Sequence, residues 1–461
     1  MIRVFRHYIS TAFLSLSLLE TVIFASAFQA GNLLRFKETS DIVQTSFFIP
    51  SAIFAVIMLV CMTGMGLYQR NQGWKTAAIV LRLTGAFLLG TIAMSLVFYA
   101  LPDLFIGRGI LGFSLLFAFA GTAILRAIFY RFADADKLKR RILIYGVGKK
   151  AQQLIDLQDN EGHDHLDIVG CIPMGDEQQV IQQGSLINLD IPLIEFVNLQ
   201  DIDEIVVAPD DRRGGLPVDD LLDCKISGYE VIDALTFYER ESGVIKIDSL
   251  YPSWLVFSDG FKAGNTKNLT KRAFDIFSSL LILFFTWPIM LIAAGFIWAE
   301  NGFSGPIFYT QIRVGAHWRL FNVMKFRSMR VDAEKNGAQW AQKNDARVTP
   351  VGRIIRKTRI DELPQIINVL KGDMSFVGPR PERPEFVDQF ATSIPFYSER
   401  HRVKPGITGW AQLCYPYSAS EDDAARKLEY DLYYVKNYSL FLDMLILLQT
   451  TEVILWGKGA Q

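Results

Sequence analysis

Long apolar stretches dominate the first 130 residues of the chain. Four of them, at about 9–30, 46–68, 77–100 and 109–130, are separated by shorter polar segments. Each reaches the roughly 20 residues that an α-helix needs to cross a bilayer. The first is too long for a removable signal peptide and lacks the small-residue cleavage pattern. The pattern therefore predicts a region of four transmembrane helices at residues 1–135.

Basic residues indicate which ends of these helices face the cytoplasm. They precede the first span, separate the second from the third, and follow the fourth, whereas the loops at 31–45 and 101–108 carry fewer. By the positive-inside rule the chain starts and ends this region on the cytoplasmic side, so the later domains are expected there. The basic residues are Arg3, Arg6, Arg70, Lys75, Arg131, Lys137, Lys139, Arg140 and Arg141.

A different pattern after residue 140 predicts a second domain. The stretch "RRILIYGVGKKAQQLIDL" has an apolar strand, a glycine turn and a helix, and "IDEIVVAP" (202–209) and "GYEVIDAL" (228–235) have the pattern of further buried strands. Such alternation is typical of a doubly wound, Rossmann-like α/β domain, here at about 141–245. Gly146-x-Gly148-x-x-Ala151 is a shortened dinucleotide fingerprint, but no clear acidic residue ends the second strand. Nucleotide binding therefore stays open beside a regulatory or scaffold role.

Composition narrows the class of protein. Half of the residues are hydrophobic and the mean hydropathy is +0.21, which is too apolar for an ordinary soluble enzyme. The net charge of −1 provides no basic field for nucleic acid. The four cysteines are far apart, which argues against a zinc site or a disulfide framework. His163-x-His165 has no further ligand nearby and does not by itself predict a metal site.

A fifth apolar stretch, 273–299, follows a linker at 246–270. It is long enough to cross a membrane, but a full crossing would export the basic residues that follow it, against the positive-inside rule. Pro288, near its centre, removes a helical hydrogen bond and kinks the chain. We therefore expect a re-entrant helix that enters the inner leaflet and turns back at Pro288. An ordinary proline-kinked span is the alternative.

An adjacent acidic pair, Asp361 and Glu362, stands out in the stretch "TRIDELPQIINVLKGDMSFVGPRPE" (358–382). The simplest interpretation is structural, with Asp361 as a helix N-cap and Pro364 in the first turn. The chemical interpretation makes Asp361 a carboxylate nucleophile, which a helix N-terminus would keep ionised and near a phosphate. The two interpretations are compatible.

Residues 271–461 closely resemble the catalytic region of bacterial sugar transferases, the monotopic polyprenyl-phosphate sugar-1-phosphate transferases (phosphoglycosyl transferases). The whole chain, with its four spans and α/β middle domain, is similar to the large members that initiate exopolysaccharide or capsule assembly. Six blocks in the same order carry the resemblance. They are "KRAFDI", "GPIFYTQIRVG", "FNVMKFRSMR", "DARVTPVGRIIRKTRIDELPQIINVLKGDMSFVGPRPE", "RHRVKPGITGWAQL" and "KLEYDLYYVKNYSLFLDMLILLQTTEVILWGKGA".

The resemblance implies a reaction and a location. A sugar-1-phosphate passes from a UDP-sugar to polyprenyl (undecaprenyl) phosphate, and UMP is released. Asp361 is implied as the nucleophile that forms a phosphosugar-aspartyl intermediate, with Glu362 as its partner and Mg²⁺ nearby, held by these two carboxylates. The implied fold is a mainly α catalytic domain with a re-entrant helix and interfacial helices such as 440–456, in the bacterial inner membrane and in contact with its lipids. The oligomeric state stays open, a homo-oligomer included.

Arginines and a lysine around the acidic pair are candidates for binding phosphate. Phosphoryl transfer needs cations around the phosphate oxygens, and the planar arginine fork grips two of them. Arg356 matches a phosphate-binding arginine of the family, and Arg380 lies in the stiff Pro-Arg-Pro loop. The further candidates are Arg353, Arg359, Lys325 and Arg327, for which a basic face toward anionic lipid headgroups is the alternative.

Two other functions were weighed against the transferase. One is a non-catalytic membrane scaffold or regulator of polysaccharide assembly, which the intact acidic pair and Arg356 argue against. The other is a membrane-anchored nucleotide-sugar dehydratase, which needs a Tyr-x-x-x-Lys pair on one helix. The literal match, Tyr145-x-x-x-Lys149, straddles a predicted strand end and a glycine turn, so the two side chains cannot share a helical face, which argues against a dehydratase. The sugar and the polymer are left undetermined.

Overall fold

The structure is a computed structural model that describes most of the chain. Its Cα positions form two compact units, residues 8–249 with residues 1–2, and residues 250–461 with residues 3–7. The predicted His163 and the basic residues Arg6, Arg70, Lys75 and Lys137 lie outside the described residues. The described residues are 2–4, 7–9, 11–35, 48–68, 76–104, 107–133, 139–159, 165–174, 178–181, 185–211, 216–261, 264–331, 333, 345–415 and 420–455.

Apolar helices make up the first part of unit one. Three of them have 24-residue segments that are long and apolar enough to cross a membrane, in agreement with the predicted spans. Two three-residue strands precede these helices. The elements are β1 (Ile2–Val4), β2 (His7–Ile9), α1 (Thr11–Arg35), α2 (Phe48–Gly64), α3 (Thr76–Ala100) and α4 (Arg108–Ala133).

The second predicted span differs from its prediction in length. Helix α2 has 17 residues, about 26 Å at 1.5 Å per residue, because the chain leaves the helix after Gly64 and turns. Two arginines stabilise this turn. Arg82 Nη1 donates to the carbonyl of Met65 at 2.9 Å, and Arg126 Nη1 donates to the carbonyl of Leu67 at 3.1 Å. The guanidinium groups thus satisfy carbonyls that a longer helix would have bonded internally.

The rest of unit one is a parallel α/β domain, as predicted. Its four strands lie in the order β4-β3-β5-β6 and all pair in parallel. Strand β3 alternates between two hydrophobic cores: Ile142 and Ile144 pack with α5 and α8 on one face, and Leu143 and Tyr145 pack with α6 and α7 on the other. The elements are β3 (Arg140–Tyr145), α5 (Lys149–Asp159), β4 (Leu166–Ile172), α6 (Leu193–Leu199), β5 (Glu204–Val207), α7 (Val218–Ile226), β6 (Glu230–Asp233) and α8 (Ala234–Ser242).

The strand order and the glycine turn bear on nucleotide binding. The order second-first-third-fourth begins a flavodoxin-like sheet and differs from the Rossmann order. At the N-terminus of α5, where a pyrophosphate would bind, the Asp210 carboxylate accepts hydrogen bonds from the backbone N–H groups of Lys149 (2.8 Å) and Lys150 (3.0 Å). A carboxylate of the protein thus takes the place of the phosphate, which favours the regulatory or scaffold alternative.

Tyr145 is the last residue of β3 and Lys149 the first of α5, so the two do not share a helix. The sequence-based argument against a dehydratase pair is confirmed.

Unit two is mainly helical, as predicted, with two small sheets. Strands β7 and β8 form an antiparallel hairpin, and β9 and β10 pair in parallel. Among the described residues, three 3-10 helices lie in unit two, namely Ala316–Trp318, Ile360–Glu362 and Tyr397–Arg402, and one, Pro102–Leu104, lies in unit one. The elements are α9 (Pro252–Phe257), α10 (Asn265–Glu300), β7 (Phe308–Val314), β8 (Leu320–Phe326), α11 (Pro350–Lys357), α12 (Gln365–Lys371), β9 (Ser375–Val377), α13 (Pro384–Ser393), β10 (Gly406–Thr408), α14 (Trp410–Cys414), α15 (Glu421–Asn437) and α16 (Leu440–Leu455).

Helix α10 contains the fifth apolar stretch. It is one helix of 36 residues, and Pro288 lies inside it without ending it. It is also long and apolar enough to cross a membrane. The Thr286 hydroxyl donates to the carbonyl of Ile282 at 2.7 Å, one turn back along the helix. The re-entrant course with a turn at Pro288 stays a prediction, as does the kinked span.

Candidate active site

The acidic pair lies in a short 3-10 helix, Ile360–Glu362, between α11 and α12. The N-cap interpretation of Asp361 is wrong, because the residue at the N-cap of α12 is Pro364. The reason is local backbone geometry. Arg359 adopts a left-handed conformation (φ 58°) after α11 and a 3-10 turn follows it, so that α12 begins only after Pro364, three residues beyond Asp361. Asp361 is therefore not the residue that caps α12.

Glu362 is surrounded by cations. Its Oε1 accepts hydrogen bonds from Lys325 Nζ at 3.0 Å and from Arg380 Nη2 at 3.3 Å, and Arg359 Nη1 lies 3.7 Å from its Oε2. Burial opposes ionisation of this carboxyl, but the three cations outweigh burial and hold the pKa of Glu362 well below its usual range. Glu362 is therefore the ionised centre of a compact cationic cluster.

Asp361 has the opposite environment. The residue is buried, and its Oδ1 atom has no hydrogen-bond partner among the described residues. Burial and the neighbouring charge of Glu362 raise the pKa of Asp361 to about 6, against the opposing effect of Lys325, Arg356 and Arg359. A carboxylate with an unsatisfied buried oxygen, ionised at neutral pH and close to cations, is equipped to attack an electrophile that carries negative charge.

The structure separates the other predicted arginines. Arg356, on α11, is among the charges that act on Asp361. Arg353 is exposed on the same helix, and no contact between it and the acidic pair is among those described. Arg327 follows β8 and is buried. It is not among the cations with the largest effects on the pKa of Asp361 or Glu362. Arg356, Arg359, Lys325 and Arg380 are thus brought together at the pair, whereas Arg353 and Arg327 are not.

Asn368 links the helix that follows the acidic pair to β8, the strand that contains Lys325. The Asn368 side chain, on α12, accepts a hydrogen bond from the Met324 N–H at 3.0 Å and donates to the carbonyl of Asn322 at 2.8 Å. These bonds join α12 to β8, the strand that carries Lys325. Because backbone groups at a strand cannot shift independently of the strand, Asn368 positions Lys325 opposite Glu362.

The first turns of α10 hold two further segments of the site. Arg272 donates to the carbonyls of Val369 (2.5 Å) and Leu370 (2.6 Å), which end α12. Asp275 Oδ1 accepts hydrogen bonds from the Ser375 hydroxyl at 2.9 Å and the Phe376 N–H at 3.1 Å, on β9. One helix therefore positions both the helix after the acidic pair and the strand before the Arg380 loop.

A buried ion pair supports the Arg380 loop from its other side. Arg400 Nη2 lies 2.8 Å from Asp431 Oδ2 and donates to the backbone carbonyl of Arg380 at 3.0 Å. The loop is also tight at Gly378, where an added Cβ would lie 2.3 Å from the carbonyl oxygen of Lys404. The Arg380 side chain is thus presented from a backbone held on two sides.

These supporting residues were missed from the sequence. Arg272, Asp275, Arg400 and Asp431 all lie in the blocks that carry the family resemblance, "KRAFDI", "RHRVKPGITGWAQL" and "KLEYDLYY". Their position in those blocks was the signal in the sequence that could have identified them as part of the site. Their partners described above lie 20 to 101 residues away along the chain, so residue spacing alone did not reveal the pairs.

The fit of a magnesium ion rests on Asp361. Among the described residues no group of three or more His, Cys, Asp or Glu side chains is placed to hold a metal ion. Mg²⁺ commonly binds through one or two carboxylates together with substrate phosphates, so such a group is not required. The unpartnered Oδ1 of Asp361 fits this role. Glu362 fits it less well, because its Oε1 is already bonded to Lys325 and Arg380.

The region that contains this site is similar to known proteins. The family model described as bacterial sugar transferase matches residues 266–457. The chain is similar to a UDP-N-acetylgalactosamine-undecaprenyl-phosphate N-acetylgalactosaminephosphotransferase of Aeromonas hydrophila, with 46% identity over 238 residues, 52% of this chain and 55% of that protein. It is also similar to an undecaprenyl-phosphate glucose phosphotransferase of Komagataeibacter xylinus, with 40% identity over 198 residues, 42% of this chain and 37% of that protein.

A shorter relative is covered almost completely. The sugar transferase EpsL of Bacillus subtilis (strain 168), described as uncharacterized, is 40% identical over 197 residues, 42% of this chain and 91% of that protein. The chain spans about half or less of the two longer relatives. The family match includes the acidic pair, its cations and the supporting segments from α10 onward. The chain therefore belongs to the bacterial sugar transferase family.

Proposed function

We propose that this protein transfers a sugar-1-phosphate from a UDP-sugar to polyprenyl phosphate, with undecaprenyl phosphate as the lipid, and releases UMP. Two relatives whose names specify undecaprenyl phosphate as a substrate support the class of reaction. The observation that carries the proposal is the buried, unpartnered Oδ1 of Asp361 beside a Glu362 that three cations neutralise.

The reaction proceeds in two displacement steps. In the first, an oxygen of Asp361 attacks the phosphorus next to the sugar, a P–O bond forms to the carboxylate, and the bond to the UMP oxygen breaks with UMP keeping the electron pair. In the second, an oxygen of the lipid phosphate attacks the same phosphorus and Asp361 leaves as a carboxylate. Neither step transfers a proton, because nucleophiles and leaving groups are anions.

The cations lower the electrostatic barrier to these steps. An anionic nucleophile must approach an anionic diphosphate, so positive charge has to be present at the site beforehand. Lys325 and Arg380 supply it and are held in place by Glu362. When Mg²⁺ is bound, with Asp361 as the fitting ligand and Glu362 as the second predicted one, it neutralises charge on the phosphate oxygens.

We also propose that the reaction takes place at a bilayer. We propose that the protein is a multi-pass protein of the bacterial inner membrane, that the catalytic region faces the cytoplasm, and that α10 is re-entrant. The basic residues of the sequence and the length and apolarity of α1, α3, α4 and α10 support this proposal. The product would be the first lipid-linked sugar of an exopolysaccharide or capsule.

The experiment that tests the function measures UMP release by the full chain in detergent with polyprenyl phosphate and Mg²⁺. The donors are UDP-N-acetylgalactosamine, UDP-glucose and UDP-galactose, chosen partly from the relatives' names. Lipid-dependent UMP release that Asp361→Asn abolishes would support the proposal and identify the sugar. Absence of turnover with every donor, or full activity in Asp361→Asn, would refute the mechanism and favour a scaffold.

A further inference from the structure

Arg327 is a buried cation that the site described above does not use. About 9% of the residue is exposed, and its Nη1 atom has no hydrogen-bond partner among the described residues. Leaving a charged donor buried and unpaired is unfavourable, commonly by several kcal/mol. A buried guanidinium whose Nη1 has no partner among the described residues indicates a binding position for an anion.

The position of Arg327 is next to the end of the long apolar helix. Its backbone N–H donates to the carbonyl of Ile307 at 2.9 Å, where the β7–β8 hairpin begins. Its Nη1 lies 3.4 Å from the point where a Cβ on Gly305 would be, in the turn that follows α10. We call Arg327 and the turn 301–307 the hairpin-base site.

Apolar surface surrounds this end of α10. Trp298 and Phe303 are exposed, and so is Ile354 on the neighbouring helix α11. Helices α10 and α11 pack together through a core that contains Ile297 and Ile355. The hairpin-base site therefore combines a buried cation with exposed apolar side chains, which suits a ligand that carries both a phosphate and a hydrocarbon chain.

The other cations near the site have a different role. Lys325 and Arg380 are hydrogen-bonded to Glu362, and Arg359 forms an ion pair with it. Arg327 is not among the charges with the largest effects on the pKa of either carboxyl. The transfer reaction involves two phosphate substrates, a water-soluble diphosphate and a lipid phosphate, which bind in turn and each place an oxygen opposite Asp361 on the same phosphorus.

We propose that Arg327 binds the phosphate of the lipid acceptor at the hairpin-base site, while the Glu362-linked cations bind the donor diphosphate. The inference rests on the proposed function. The arginine fork holds two oxygens of the acceptor phosphate and leaves the third to attack the phosphosugar-aspartyl group. A P–O bond forms to the lipid phosphate, the P–O bond to Asp361 breaks, and the carboxylate keeps the electron pair.

The two half-reactions allow a direct test with the full chain in maltoside detergent. The first is measured without lipid, as exchange of labelled UMP into the UDP-sugar, and the second as turnover against the concentration of polyprenyl phosphate. Arg327→Gln should leave the exchange rate within about twofold of wild type and raise KM for polyprenyl phosphate by about 10- to 100-fold, as expected for a lost charge-assisted hydrogen bond. Arg380→Gln should instead reduce the exchange.

Three controls make the result decisive. Arg319→Gln, an exposed arginine at the other end of the same hairpin, should change neither value. Arg327→Lys keeps the charge and loses the fork, so it should raise KM less than Arg327→Gln and gives the answer if the latter does not fold. Added phosphatidylglycerol tests whether an ordinary phospholipid headgroup is the ligand.

Three outcomes would overturn the inference while wild-type exchange still supports the proposed function. The first is an equal loss of exchange and lipid turnover in Arg327→Gln. The second is an unchanged KM for polyprenyl phosphate. The third is loss of a phosphatidylglycerol effect in Arg327→Gln without a change in that KM. Absence of wild-type exchange and turnover would instead refute the proposed function itself.

Discussion

Replacing Glu362 with Gln removes the carboxylate that holds the cationic cluster together. Lys325 Nζ at 3.0 Å, Arg380 Nη2 at 3.3 Å and Arg359 Nη1 at 3.7 Å would then surround a neutral amide. Burial already lowers the pKa of Lys325, and Glu362 opposes that effect. The variant should therefore carry uncompensated positive charge in a largely buried site.

The size of the effect follows from these distances. At about 3 to 4 Å and an effective dielectric constant of about 20, each pair attracts with about 5 kcal/mol before desolvation is subtracted. Removing one partner of a buried pair typically destabilises a protein by about 3–5 kcal/mol in net terms. For a unit of this size that corresponds to a melting temperature lower by about 10 °C.

The assay is a thermal shift of the full chain in detergent, with and without UMP. A nucleotide phosphate can replace the lost carboxylate as the counter-ion of Lys325 and Arg380, so Glu362→Gln should bind UMP about tenfold more tightly than wild type. At equal UMP concentration, the stabilisation by UMP should accordingly be larger in the variant. UMP release should fall, because Glu362 no longer holds the cations in position.

The matched control is Glu399→Gln. Glu399 pairs with the exposed Arg402, and an exposed pair of this kind contributes at most about 1 kcal/mol. Its melting temperature should stay close to that of wild type with unchanged UMP affinity. If Glu362→Gln behaved like this control in both measurements, the cationic cluster would not depend on Glu362 and the reasoning would be refuted.

Three further changes test the supporting structure. Gly378→Ala places a Cβ 2.3 Å from the Lys404 carbonyl oxygen, so thermal shift should show a loss of about 1–3 kcal/mol and UMP release should drop with it. Burial raises the pKa of Asp431 to about 6, against Arg400, from an ordinary 3.8. Since the folded pKa is the higher one, stability should rise by about 1.4 kcal/mol per unit as pH falls from 6 to 4, a slope that thermal melts should find missing in Asp431→Asn. Asp210→Ala uncaps α5 and should lower the stability of the α/β domain by about 1 kcal/mol while UMP release is unchanged.

Local patterns were sufficient for the elements of this protein. Hydrophobic runs of helical length predicted the apolar helices, and short apolar runs predicted the parallel strands β3, β5 and β6, since both signals arise within a few residues of sequence. The length of α2 was overestimated because Arg82 and Arg126 act on its end from other helices. Apolarity alone does not contain that information.

The acidic pair and Arg380 were identified from motifs, but their arrangement was not. A sequence shows that Asp361 and Glu362 are adjacent, yet it gives no sign that one is unpartnered and the other bonded to three cations. The left-handed Arg359 also overrode the expected cap, because backbone conformation there depends on how the 3-10 turn packs against α11 and β8.

The sequence by itself determined the class of the protein, its apolar helices, the strands β3, β5 and β6, and the identity of the acidic pair. Only the tertiary structure decided which cations meet Glu362, that Arg272 and Asp275 position the site from α10, and that Arg327 is left with an unpaired donor. The physical reason is that charge and hydrogen bonding act through space at about 3 Å, and folding brings together residues that the chain separates by tens of positions.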